Sequence, residues 1–182
     1  MQAKSHALPG LIEFIPRLFG DSRGLFYETY SARQMQELGL PSDLSWVQDN
    51  QSKSQPGVVR GLHFPRPPHA QAKLVRVAQG RVLDVVVDIR RHSPTYGQHS
   101  QVELSAAMGN ILFIPAGFAH GFMALEEDTL FLYKCSDYYA PASEGGLRWN
   151  DPVLGINWGN TNALVSPKDA TLPTLDEFES PF

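Results

Sequence analysis

Apolar and polar positions alternate along much of this chain in short runs separated by turn residues. Leu11–Ile15, Gly24–Tyr30, Val58–His63, Lys73–Ala78, Arg81–Ile89, Gln101–Leu104, Ile111–Ile114, Gly121–Leu125 and Thr129–Cys135 have strand length. Most are rich in β-branched or aromatic residues, which predicts strands. Breakers stand between them at Gly80, Ser93-Pro94, Gly109-Asn110, Pro115-Ala116-Gly117 and Glu126–Asp128. Ser31–Leu38 predicts a helix, with Ser31 as its cap, Gln34 completing a capping box and Gly39 as its stop. From Ala140 the chain reads as loop, with a second short helix expected near Thr174–Phe178. Closely spaced strands without helices between them predict an all-β antiparallel sandwich or barrel with a few short helices.

The same alternation sorts side chains by face. Val59, Gly61 and His63 fall on one face of their run, with Arg60 opposite. Lys73, Val75 and Val77 share a face, as do Phe131, Tyr133 and Cys135. Small apolar neighbours around His63, Lys73 and Tyr133 suit a barrel interior. The opposite faces are also apolar, so alternation alone leaves the inward side open.

A length of 182 residues with 42% hydrophobic content supports one domain, residues 1–182, with a sizeable core. Fifteen glycines and fourteen prolines favour turns over long helices. A net charge of −4 argues against a nucleic-acid surface. Six histidines direct attention to acid–base chemistry. A single cysteine, Cys135, allows no internal disulfide and suits a reducing compartment. No apolar run reaches the length of a signal peptide or of a ~20-residue membrane span. A cytoplasmic protein without membrane contact is the expectation.

One spacing changes the picture. Gly109-x5-Pro115-x-Gly117-x2-His120 places a histidine after a tight turn, as the second motif of the cupin barrels does. Upstream, Gly61-x5-Pro67-x-His69-x3-Lys73-x6-Gly80 fits the first cupin motif by its spacing. Its ligands differ: Pro67 stands at the first histidine position and Lys73 at the glutamate position. Metal sites need three or four donors, and an ammonium repels a cation. The expectation is a cupin-type jelly-roll β-barrel with no metal, holding a lysine where the metal would lie.

Longer segments narrow this further: FGDSRGLFYET (Phe19–Thr29), VQDNQSKS (Val47–Ser54), VVRGLHF (Val58–Phe64), PPHAQAKLVRVAQG (Pro67–Gly80), VDIRRHSPTYG (Val87–Gly97), IPAGFAHGF (Ile114–Phe122), FLYKCSDYYAP (Phe131–Pro141) and WNDP (Trp149–Pro152). Together they resemble the dTDP-4-dehydrorhamnose 3,5-epimerase family from Phe19 to Asp169. The resemblance implies epimerisation at C3 and C5 of a dTDP-linked 4-keto-6-deoxy sugar. The ketone acidifies both positions, so inversion needs a base, an acid and an oxyanion stabiliser. No hydride moves and no cofactor is implied, in keeping with the lack of a Gly-rich dinucleotide fingerprint.

By this resemblance His63 is the base, Asp169 orients it and Tyr133 is the acid on the opposite face of the sugar. A free imidazole titrates near ~6.5, close to working pH. Lys73 matches the residue that stabilises the oxyanion, and its place at a metal-ligand position supports that role independently. His120 matches a neighbour of the sugar. Arg60 and Arg23 match positions that meet the diphosphate, where guanidinium forks suit phosphate oxygens. Gln48, Asp49, Asn50, Glu28 and Lys168 match further binding positions, Tyr139 an aromatic that stacks on thymine, and Glu144 a nucleotide contact. The resemblance also implies a homodimer in which Arg23 and Glu28 serve the partner's pocket. Arg60 and His63 are three apart, which a regular strand puts on opposite faces; a bend at Gly61 is the expected remedy.

Other readings share this sequence. A relative that inverts only C3 or only C5 needs the same base, acid and lysine. A non-catalytic sugar-binding cupin does not need the acid–base pair. A metal-dependent cupin oxygenase is disfavoured by Pro67 and Lys73. A ketoisomerase on the same barrel is a further alternative.

Overall fold

The computed structural model describes residues 1–159 and 162–182. Its strands are β1 (Gln2–Ser5), β2 (Ile12–Ile15), β3 (Phe19–Asp21), β4 (Gly24–Phe26), β5 (Gln48–Ser54), β6 (Val58–Pro65) and β7 (Lys73–Gln79). They continue as β8 (Arg81–Asp88), β9 (His99–Ser105), β10 (Ile111–Ile114), β11 (Phe118–Ala124), β12 (Thr129–Cys135), β13 (Glu144–Gly146) and β14 (Leu164–Val165). Helix α1 (Ala32–Glu37) precedes β5, and α2 (Pro167–Ala170) follows β14.

One sheet has the order β1-β2-β10-β7-β12-β5, the other β13-β6-β11-β8-β9, with β14 joined in parallel to β6. This is a jelly-roll arrangement of cupin type. Its strands form two facing sheets, and not a single closed hydrogen-bonded ring.

Three apolar layers follow from the alternation. Between the sheets lie Val75 and Val77 of β7, Leu112 and Ile114 of β10, Val82 and Val86 of β8, and Phe118 and Phe122 of β11. The outer face of the first sheet (Phe14, Leu74, Ile111, Phe113) is covered by Met35 of α1 and by Leu40. The outer face of the second sheet (Val59, Val85, Val87, Ala119, Met123) is covered by the C-terminal segment through Leu147, Leu154 and Trp158. Phe178 and Phe182 continue this cover, each edge-on to Phe64. Apolarity on both faces of β8 and β11 therefore has a physical reason: each sheet is buried twice.

Three local expectations are corrected. The run Gly24–Tyr30 is strand only over Gly24–Phe26, paired with β3 in an exposed hairpin. Its aromatics are not core residues, so alternation had nothing to report there. The Ser31–Gln34 capping box does not form: Ser31 makes no side-chain cap, and Gln34 Nε2 donates to Glu28 Oε2 at 2.9 Å. A capping box does form at Thr174 and Glu177, around a single 3₁₀ turn. Strand β5 was not predicted as a strand at all. Its sequence, QDNQSKS, carries no apolar residue, yet it pairs with β12 in unbroken register from Gln48↔Cys135 to Ser54↔Thr129.

The largest departure is in β6. His63 lies opposite His120 of β11, but Arg60 lies opposite Phe122. Three residues of β6 thus span two of β11, which is a β-bulge. It sits at Gly61, whose φ of +138° favours glycine. A Cβ there would approach Gly121 Cα to 2.5 Å, and one at Gly121 would meet the Arg60 carbonyl at 2.7 Å. The two glycines let the strands cross closely. Leu62 turns to the outer layer, exchanging backbone hydrogen bonds with Leu147. The expected alternation of Val59 with His63 is therefore overturned: Val59 packs in the outer layer, while Arg60 and His63 face the same cavity.

Candidate active site

A cavity of about 620 Å³ opens between the sheets, lined by Arg60, His63, Lys73, His120, Phe122, Phe131, Tyr133 and Asp169, among others. A second, of about 440 Å³, is lined by Gln48, Asn50, Cys135, Tyr139 and Glu144. His63, Lys73, Tyr133 and Lys168 line both. The side chains nominated for proton transfer thus stand where the two cavities meet.

His63 projects from β6 just after the bulge, and its Nε2 lies 2.7 Å from Asp169 Oδ1. Asp169 is buried within the short helix α2 and is held from both sides. Its Oδ2 accepts the Gly61 amide at 3.2 Å, and its own amide donates to Ser166 Oγ at 3.1 Å. Burial pushes the carboxyl pKa up. The His63 hydrogen bond and charge, with smaller help from Gly61 and Ser166, outweigh it, and the group lies below its ordinary value. An ionised Asp169 fixes the imidazole so that Nδ1 is the nitrogen left for substrate.

Lys73 begins β7, opposite Cys135 of β12 and Ile114 of β10. Burial pushes its ammonium pKa down, while Cys135 and Asp84 pull it up. Tyr133 stands half-buried on β12; burial raises its phenol pKa, Cys135 adds to this and Arg60 opposes it. Phe131 stacks on Phe122, with centroids 4.1 Å apart, and forms the apolar wall beside them. The site is thus an oriented imidazole, a phenol and an ammonium around one space, with a dry wall that strengthens each charge interaction.

Arg60 is tied down by Nε to Ser54 Oγ at 3.1 Å and by Nη2 to the Lys53 carbonyl at 3.4 Å. Gln48 Nε2 donates to Asn50 Oδ1 at 3.0 Å, and Gln48 Oε1 accepts the Tyr139 amide at 3.0 Å. Lys168 and Glu144 form an ion pair at the rim. That pair lowers the Glu144 pKa and raises the Lys168 pKa, while the hydrogen bond to Glu144 raises that of Tyr139.

Three nominated residues lie elsewhere. Asp49 points to the other face of β5 and pairs with Lys134 at 3.0 Å. Arg23 is 88% exposed on the β3–β4 hairpin, bidentate to Asp21. Glu28 lies against Gln34, away from the cavity. His69, kept from the first cupin motif, is held by Asp137 at 3.0 Å and lines neither cavity. Among the described residues no cluster of three His, Cys, Asp or Glu side chains could hold a metal ion.

Sequence reasoning missed Asp84. It is fully buried on β8 and accepts from His120 Nε2 at 2.8 Å, a second carboxylate–imidazole pair behind the first. A signal was present: Asp84 interrupts RVLDVVVD on the inward parity of Val82 and Val86.

A two-sheet jelly roll with this acid–base cluster between its sheets defines a cupin-type sugar epimerase. The comparisons carry the identification further. The family model for dTDP-4-dehydrorhamnose 3,5-epimerase matches residues 5–177, and the chain belongs to that family. The Salmonella typhimurium enzyme of that name is 49% identical over 172 residues, covering 94% of this chain and 93% of the relative. A crystal structure of the Legionella pneumophila 3,5-epimerase with dTDP-4-keto-L-rhamnose superposes with a TM-score of 0.92 at 43% identity, covering 98% of this chain and 94% of the other. A 3'-monoepimerase of Streptomyces bikiniensis, bound to dTDP-quinovose, superposes at 0.89 with 34% identity, covering 97% and 88%.

Proposed function

We propose that this chain inverts C3 and C5 of dTDP-4-dehydro-6-deoxyglucose, giving dTDP-4-dehydrorhamnose, with His63, Tyr133, Lys73 and Asp169 as the chemical group. The observation that carries this is the meeting of His63, Lys73 and Tyr133 at one junction, with Asp169 bonded to His63 from behind. His63 Nδ1 removes the proton next to the ketone. The C4 oxygen takes up the charge as an enolate, and the Lys73 ammonium stabilises it. Tyr133 returns a proton to the opposite face of the carbon. Asp169 stabilises the imidazolium formed in the first step.

The diphosphate is held by Arg60, with Arg23 reaching in from a partner. Gln48, Asn50, Tyr139, Glu144 and Lys168 form the nucleotide side, and His120 meets the sugar. The chain acts as a single domain in a homodimer, in the reducing cytoplasm that one unpaired cysteine suits. The exposed β3–β4 hairpin supports the dimer: Phe26 is 69% exposed there, beside Phe19, Leu25 and the outlying Arg23. Among the described residues no helix is long and apolar enough to cross a membrane. Asp49 and Glu28 enter this reading only as contacts made from outside the cavity.

Turnover of the keto sugar in D₂O, followed by NMR, tests the reaction. Deuterium at both C3 and C5 is the expected result. Label at one carbon alone would assign the chain to the single-centre epimerases, and no label would make it a binding protein.

A further inference from the structure

The inward-facing side chains of β5 are Gln48, Asn50, Ser52 and Ser54, and all four are polar. Three of them have partners within the protein. Gln48 bonds to Asn50 and to the Tyr139 amide, Asn50 Nδ2 donates to Cys135 Sγ at 3.6 Å, and Ser54 accepts from Arg60. Ser52 is different: its hydroxyl is buried and has no hydrogen-bond partner among the described residues. A buried hydroxyl without a partner in the protein is unfavourable, and the usual resolution is a ligand or water. Ser52 lines the larger cavity together with Arg60, His63 and Tyr133. A serine Oγ reorients by rotation about χ1 alone.

Its position along the strand names the group it meets. Asn50 lies opposite Tyr133, Ser52 opposite Phe131, and Ser54 holds Arg60. Ser52 therefore stands between the proton donor and the diphosphate anchor. In a nucleotide-linked hexose the diphosphate is on C1 and the reaction is at C3 and C5. The carbon between C1 and C3 is C2, which carries a hydroxyl. We propose that the Ser52 hydroxyl binds the C2 hydroxyl of the sugar, so that this side chain both positions C3 for His63 and selects 2-hydroxy over 2-deoxy substrates. The inference rests on the functional reading above, with Arg60 on the diphosphate.

The test is steady-state kinetics of the wild type and Ser52→Ala with the dTDP-4-keto-6-deoxy sugar and its 2-deoxy counterpart, beside calorimetric titration with dTDP. One neutral hydrogen bond corresponds to about a 3- to 10-fold effect. Ser52→Ala should lose about that much kcat/KM on the parent sugar, chiefly in KM, and nothing on the 2-deoxy sugar. The wild type should prefer the parent sugar by a similar factor, and dTDP affinity should stay the same. Equal loss on both sugars, a parallel fall in dTDP affinity, or no loss on either would each overturn the assignment. A wild type inactive on both sugars would overturn the functional reading and this inference with it.

Discussion

Asp88 and Lys73 show how one side chain can be held in opposite ways. Asp88 is wholly buried, and its carboxylate accepts from Arg90 Nη2 at 2.7 Å, Ser93 Oγ at 2.5 Å and Thr95 Oγ1 at 2.6 Å. Burial alone would raise its pKa, but these donors together lower it from 3.8 to about 2. A depressed folded value means stability present above the unfolded pKa and lost as pH falls through about 2, a contribution of about 2 kcal/mol. Asp88→Asn should lower unfolding free energy by about that amount at neutral pH. It should also flatten the loss of stability between pH 4 and 2, as read by urea titration. Lys73, by contrast, is enclosed with no bonded acceptor among the described residues, which suits a charge kept for an oxyanion. Lys73→Ala should slow turnover by about 10²–10³ with dTDP affinity nearly unchanged; stopped-time assays and calorimetry read the two separately.

At the scale of elements, β6 decides whether there is a site at all. Without the bulge, Arg60 and His63 would face opposite sides of the sheet. Gly61→Ala combines a φ of +138° with a Cβ only 2.5 Å from Gly121 Cα. It should cost about 3 kcal/mol or more, and kcat/KM should fall further than the loss of folded protein explains. Denaturation and kinetics on the same preparation check this. The sequence made the apolar strands legible, since β10 and β12 fall where Ile111–Ile114 and Thr129–Cys135 were expected. It hid β5, because alternation reports packing against apolar neighbours and every side chain of β5 is polar. Alternation placed β6 but misassigned the face of Val59 and Arg60, because a count of two per repeat cannot register an inserted residue. The glycine in RGLH was the one sign of that irregularity. Asp84 was readable as a carboxylate among valines. Asp49, in contrast, was nominated by the family resemblance, and parity within β5 sends it to Lys134.

At the scale of the molecule, the C-terminal segment does two jobs. It seals the outer face of the second sheet through Leu147, Leu154 and Trp158, and it carries Asp169 to His63 across a sequence separation of 106 residues. A chain ending at Val165 lacks Asp169 along with Phe178 and Phe182 of the outer layer. Such a chain should turn over far more slowly than Asp169→Asn and expose apolar surface to a dye such as ANS. Activity no greater loss than that of Asp169→Asn, with no dye binding, would show that the segment only carries the carboxylate. Synthesis runs from the N-terminus, so β1 to β14 leave the ribosome before His63 has its carboxylate partner. A copy interrupted anywhere before Asp169 holds the imidazole with no carboxylate behind it, so His63 is completed only by a residue made 106 positions later.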